Sequence, residues 1–195
     1  MMETEVTQEL YLAVMGENPS IFNGIRNGTD YGVDLQRPVE NVSWEDGIRF
    51  ASALSLAMGL QPAYDGDDND AGLIEGANGF RYPLEAEWEW AARCGEDYEY
   101  PGSNDVHAVG WCLDYATHPV GQKQANACGL RDMVGNLWEW VADDYNNPGQ
   151  YHPGADERVR RGGSWVMLCN LTARFRSPPD FSNGDDGLRL LRPLP

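Results

Sequence analysis

The side chains best placed to do chemistry lie in Gly129-Leu-Arg-Asp-Met-Val-Gly-Asn-Leu-Trp-Glu-Trp140. Two tryptophans flank Glu139, and a Gly135-Asn136 turn and Asp132 precede them. A core strand would be rich in Val and Ile, and a surface helix would not set two Trp around one Glu. Large rings beside a carboxylate imply a buried junction that needs a polar partner, a metal ion being one option. The other candidate groups are weaker. Cys94, Cys112, Cys128 and Cys169 include no CxxC, which argues against zinc. They are expected to be buried free thiols, with a single bridge such as Cys112 to Cys128 left open. His107, His118 and His152 are not paired at ligand spacing and read as surface or hydrogen-bonding groups. Asp65, Asp67 and Asn69 start like a calcium loop, but Asp70 stands where Gly is needed and Gly76 where Glu is needed. That segment reads as a solvated hairpin tip. No Ser-His-Asp order, phosphate loop or dinucleotide fingerprint occurs, and nothing in the sequence brings Asp180 and Glu139 together as an acid–base pair.

The elements that must position these groups are short. The 195 residues suffice for one α+β domain, and the 22 Gly and 12 Pro imply many turns. Thr7 is placed to cap a helix through Met15 that Gly16 stops. Ser43-Trp-Glu-Asp46 opens a second helix with Ile48, Ala51, Leu54 and Met58 on one face, ending at Gly59. A third runs over Leu84–Arg93, setting Trp88 one turn from Ala91 and Ala92. Later strand candidates are Val109–Trp111, Leu137–Val141, Val159–Arg161, Ser164–Leu168 and Leu188–Leu191. The formal net charge of −17 opposes binding to nucleic acid or anionic lipid. No apolar run approaches a membrane span. Met1-Met-Glu-Thr-Glu lacks a basic, apolar leader, so the default expectation is a cytoplasmic monomer.

Seven motifs in fixed order carry a family resemblance. They are Glu5-Val-Thr-Gln8 with Met15-Gly-x-Asn-Pro19, then Pro38-Val-x-x-Val-Ser-Trp44, Tyr82-Pro-Leu-Glu-Ala-Glu-Trp-Glu-Trp-Ala-Ala-Arg93 and Thr117-His-Pro-Val-Gly121. Asn126-Ala-x-Gly-Leu-x-Asp-Met-x-Gly-Asn-x-Trp-Glu-Trp140, Arg161-Gly-Gly-Ser-Trp165 and Gly187-Leu-Arg189 follow. The chain resembles the formylglycine-generating-enzyme, or sulfatase-modifying-factor, family over almost its whole length. That resemblance implies a C-type lectin-like fold with few helices and short, irregular antiparallel strands, in a single domain over 1–195. It also implies a Ca2+ site built from the side chains of Asp132 and Glu139 and the backbone carbonyls of Gly135 and Leu137. Several oxygens around a hard cation make chemical sense there. The family's second calcium loop is too short here to carry over.

The resemblance does not extend to catalysis. The active enzymes bind copper(I) through a close cysteine pair after the Gly-Gly-Ser-aromatic motif, and soft thiolates are what that ion needs. Here only Cys169 follows, at a spacing that matches neither member, with Cys128 the nearest other cysteine in the sequence. No copper is expected, and the chain reads as a non-enzyme. The three histidines do not supply the iron site of the sulfoxide synthases either.

A different branch fits better: the variable proteins of diversity-generating retroelements, which diversify a C-terminal surface on a fixed scaffold. Residues 162–190 have that layout, from Gly162-Gly-Ser-Trp165 to Gly187-Leu-Arg189. Val166, Met167, Leu168, Phe175, Pro178 and Phe181 would form an apolar patch for an unknown protein or surface ligand. Asn170, Arg176, Ser177, Ser182 and Asn183 would add adaptable polar contacts. Arg174, Pro179 and Asp180 match framework positions. Strand alternation over 164–168 would instead bury Val166 and Leu168 and expose Met167. The competing functional reading is a formylglycine-generating-type oxidoreductase working through Cys169, or an inert structural relative.

Overall fold

A computed structural model describes residues 1–26, 28–167 and 169–193, with the backbone alone at Arg26. The first helix, α1 (Gln8–Met15), starts where Thr7 Oγ1 accepts the Leu10 N–H at 3.2 Å. It ends at Gly16, whose φ of 79° suits a residue without a Cβ. A short hairpin, β1 (Ile25–Arg26) and β2 (Thr29–Asp30), follows. Helix α2 (Trp44–Ala57) opens on the Ser43–Asp46 capping box and buries Trp44, Ile48, Ala51 and Leu54 against the main core. Met58, expected on that face, lies beyond the last turn and is exposed. Helix α3 (Glu85–Arg93) buries Trp88, Ala91 and Ala92. One turn, α4 (Val106–Val109), completes the helices. No helix among the described residues is long and apolar enough to cross a membrane.

The main sheet contains β3 (Trp138–Asp144), β4 (Arg158–Arg161), β5 (Arg174–Ser177) and β6 (Asp186–Leu188), in the order β5-β4-β3-β6. β4 is antiparallel to both neighbours, but β6 lies parallel to β3, so the sheet is mixed rather than wholly antiparallel. The parallel pair has a topological cause. β5 and β6 occupy opposite edges, so the segment between them must cross the sheet and re-enter at the end where β3 begins. That crossing lays Phe181 and Asn183 beside Trp138, Arg160 and Phe175.

The sheet's period of two sorts its side chains. The register Trp138↔Asp186, Trp140↔Arg160 and Arg160↔Phe175 puts these residues on one face, and Glu139↔Arg161 on the other. β5 went unread in the sequence because Arg-Phe-Arg-Ser alternates guanidiniums with a ring, not with aliphatic residues. Val109–Trp111 is not a strand: Val109 ends α4, and Trp111 makes one bridge to Gly135. Residues 164–167 form a turn, so the alternation expected there does not arise and Val166 is exposed. Leu168 lies outside the described residues.

All four cysteines are bridged, correcting the expectation of free thiols. Cys94 pairs with Cys128 at a Cα separation of 5.7 Å, and Cys112 with Cys169 at 5.8 Å. Linear spacing could not reveal this. Cys94 turns left-handed (φ 45°) as it caps α3 and meets the 126–129 turn, whereas Cys112 is aligned with Cys169 by the Trp111–Gly135 bridge. The Cys94–Cys128 bridge spans 34 residues. A Cys94→Ala/Cys128→Ala double variant is therefore expected to lose about 2–4 kcal/mol in urea titrations. An unchanged midpoint would show that the bridge adds nothing.

Candidate functional site

One face of the sheet is pinned by a buried charge junction. The Trp88 indole N–H donates to Glu139 Oε2 at 2.7 Å, and Arg189 Nε and Nη2 donate to Oε1 at 3.0 and 2.8 Å. Arg189 Nη1 donates to the Glu3 carbonyl at 2.7 Å, and Nη2 to the Arg131 carbonyl at 2.8 Å. One guanidinium thus ties β6 to β3, the N-terminal segment and the 129–140 loop. Glu5 accepts from Asn136 Nδ2 at 2.9 Å and from the Leu137 N–H at 3.2 Å. Burial, then the charges of Asp132 and Glu139, push Glu5 well above the usual carboxylate range. Asp132 is raised too, chiefly by burial.

This junction tests the calcium reading. The carboxylate of Glu139 is engaged by Trp88 and Arg189, so the cation beside it is a guanidinium. Gly135 and Asn136 take left-handed φ values of 77° and 60°, and a Cβ at Gly135 would overlap the Trp111 carbonyl. Among the described residues no group of three or more His, Cys, Asp or Glu is arranged to hold a metal. Asp132 does keep one oxygen without a partner. Asp132, Gly135, Leu137 and Glu139 as arranged nevertheless do not fit a calcium ion, because Glu139 would have to give up Arg189. The acidic loop fits no better: Asp65 accepts the Gly72 N–H, and Asn69 Oδ1 is held by Arg158.

The opposite face of the sheet is covered over Trp140 and Leu188 by the main core and opens toward solvent at its Phe175 edge. Val166, Met167, Phe175 and Phe181 are 48, 37, 54 and 39% exposed, large values for such side chains. Trp138, Arg160, Met167, Phe175, Phe181, Asn183 and Asp185 surround a cavity of about 250 Å³. A neighbouring cavity of about 320 Å³ is bounded by Ile21, Phe22, Trp165, Val166 and Gly184, and shares Asn183 and Asp185 with the first. The largest described cavity, about 700 Å³, lies elsewhere, between α3 and residues 191–193. Arg160 forms an ion pair with Asp186 at the first cavity. Burial pushes Asp186 up to about 7, with Arg160 pulling it down and Asp185 pushing it further up.

Not every expected contact residue reaches this face. Asn170 is exposed, but its Oδ1 accepts from Thr172 N and Oγ1 within a local turn. Arg176 points to the other side of β5 and pairs with Glu157 at 2.7 Å. Ser177 is buried and donates to the Arg176 carbonyl. Strand alternation turns Arg176 away from Phe175, whereas Ser177 shares the Phe175 side of β5 but is buried opposite Arg158, away from the cavities. Pro178 and Ser182 are exposed along the crossing segment. Leu168 is not described.

Sequence reasoning missed Leu113 and Tyr115, which are 65 and 89% exposed. Leu113 N donates to the Met167 carbonyl at 3.3 Å and Asp114 N to the Trp165 carbonyl at 2.7 Å. With the Cys112–Cys169 bridge, these bonds clamp a second loop beside Val166 and Met167. Cys112, not Cys128, is therefore the spatial neighbour of Cys169, and the two sulfurs are bonded to each other rather than arranged as a copper-binding pair. The sequence signal was Cys112 itself, whose partner no spacing rule identifies.

The sulfatase-modifying factor enzyme 1-like domain family matches residues 1–194. The chain is 36% identical to the chaperone protein LppX of Paenibacillus barcinonensis, over 96% of this chain and 78% of that protein. It is 30% identical to the inactive C-alpha-formylglycine-generating enzyme 2 of Mus musculus, over 78% of this chain and 56% of that protein. The chain thus spans little more than half the length of that mouse relative. The solved structure of Treponema denticola variable protein 1 superposes with a TM-score of 0.83 at 36% identity, covering 97% of this chain and 82% of that one.

The charge junction makes a direct prediction. Glu139→Gln leaves Arg189 buried and uncompensated, and is expected to cost about 3–5 kcal/mol in chemical denaturation. EDTA is expected to leave the wild-type melt unchanged. A melt lowered by EDTA in the wild type but not in Glu139→Gln would restore the calcium reading.

Proposed function

We propose a function from one premise: the chain belongs to the sulfatase-modifying factor enzyme 1-like family, and within it acts as a non-catalytic binding protein. Its ligand is an unidentified protein or surface molecule, held by a diversified C-terminal face. The observation that carries this reading is the row of exposed apolar side chains on one side of the sheet, Val166, Met167, Phe175 and Phe181. A protein that buried nothing against them would leave a sizeable apolar patch in water, and such patches mark interaction sites. Leu113 and Tyr115 extend the patch from a different loop.

Two further observations favour binding over catalysis. The relatives include a variable protein, an inactive enzyme and a chaperone by name, none of which implies turnover. Both sulfurs of Cys112 and Cys169 are consumed in one bond, so no thiolate is offered to copper(I) while the bridge stands. Active formylglycine-generating enzymes are also relatives, for example that of Thermomonospora curvata at 30% identity, so the oxidase reading is the one to test against. The two bridges favour an oxidising compartment over the cytoplasm expected by default.

The diversification part of the proposal is tested in the DNA around the gene. A near-copy of the segment encoding residues 162–190, differing mainly at adenines and close to a reverse transcriptase gene, is the expected finding. Absence of both would remove diversification and leave a fixed-specificity binder. The non-catalytic part is tested by supplying copper(I) and oxygen to the reduced protein with a Cys-containing sulfatase peptide. No turnover is expected, and turnover lost in Cys169→Ser would contradict the reading.

A further inference from the structure

We infer that the paired cavities around Asp185 receive a positively charged side chain, a guanidinium or an alkylammonium, presented by a protein partner. This names the chemistry of the ligand on the face proposed above and rests on that reading. Asp185 is 9% exposed and borders both cavities. Its Oδ2 accepts the Ser164 hydroxyl at 3.0 Å, while its Oδ1 has no partner among the described residues. A buried carboxylate oxygen left unpaired is costly, and the binding of a cationic donor relieves that cost.

The local charge count supports a cation. Two carboxylates, Asp185 and Asp186, face one guanidinium, and Arg160 is committed to Asp186. Asp185 Oδ1 is therefore a carboxylate oxygen left without a donor among the described residues, in a chain whose net charge of −17 draws cations toward it. A neutral ligand without a donor would leave Oδ1 unpaired, and an anion would add repulsion.

The walls suit the same ligand. The Arg160 guanidinium carbon lies 5.2 Å from the Phe175 ring centroid, 5.5 Å from Phe181 and 6.0 Å from Trp138. These rings already hold one guanidinium against their π faces, which shows that they accept such a group. Phe175 and Phe181 are both exposed in part, so each keeps surface for a second. Met167 adds a polarisable thioether that packs against an alkyl stem.

The test titrates N-acetyl-arginine amide, N-acetyl-lysine amide and the neutral isostere N-acetyl-norleucine amide into the full chain, read by the Trp138 indole resonance. Saturable binding of the two cations is expected, at least about tenfold tighter than norleucine, a gap of about 1.4 kcal/mol. Asp185→Asn, checked for a native melt, is expected to weaken the cations about tenfold and leave norleucine unchanged. Phe175→Leu, at a position 54% exposed and checked for a native melt, is expected to weaken them several-fold. Equal binding of norleucine, no saturable binding of either cation, or undiminished binding in Asp185→Asn would overturn the inference, leaving Asp185 served by water alone. The display reading stands or falls separately. If cations fail to bind but Phe175→Glu and Tyr115→Glu still abolish binding to a ligand selected against this face, only the inference about charge is lost.

Discussion

The fold depends on a single buried guanidinium. Arg189 is fully buried, meets Glu139 with two of its nitrogens, and donates to carbonyls of the N-terminal segment and of the 129–140 loop. Such a junction is costly to bury and more costly to break, which makes it an all-or-none fastening. Trp88 closes the remaining side of Glu139, so α3 is drawn onto the sheet by the same carboxylate. Regular structure alone would not hold this chain together: its described strands are two to seven residues long, and much of it is loop. Buried side-chain hydrogen bonds take over the role that longer ladders play elsewhere. Gln8 to the Phe22 and Pro38 carbonyls, Asn126 to the end of α3 and Trp44 to the Val141 carbonyl are examples.

This fastening leaves the Phe175 edge of the other sheet face open. The β3–β4–β5 register puts Glu139 and Arg161 toward α3 and sends Trp138, Arg160 and Phe175 the other way. The crossing segment that β6 requires then closes one side of that face, and the loop clamped by Cys112–Cys169 extends the other. That face is shared, because Trp140 and Leu188 on it belong to the main core while Phe175 at its edge is exposed.

The helices were legible in the sequence because their signals are local. Thr7, the Ser43–Asp46 box and the spacing of Ile48, Ala51 and Leu54 needed no tertiary information. The Trp-Glu-Trp segment was legible as a buried junction, but its cation was not. Arg189 is fifty residues away from Glu139, and only the parallel β6 brings it there. The resemblance implies a calcium ion at this segment, and the fold sets the Arg189 guanidinium against Glu139. The cysteines failed for a similar reason, since pairing depends on turns at Cys94 and Gly135 whose direction is set by the whole fold. Around the two small cavities, Met167, Phe175 and Phe181 were legible as apolar residues out of place, whereas Ser177 and Arg176 required the strand that the pattern concealed. Leu113 and Tyr115 belong to another loop altogether.

A fixed frame beneath the proposed display face would tolerate variation at its exposed side chains. The most direct measurement is the thermal melt of a library randomised together at Val166, Met167, Phe175 and Phe181. Most members are expected to melt cooperatively within a few degrees of the parent while differing in what they bind. If most members instead lose the cooperative melt, those side chains are part of the core and the face is not a site of display.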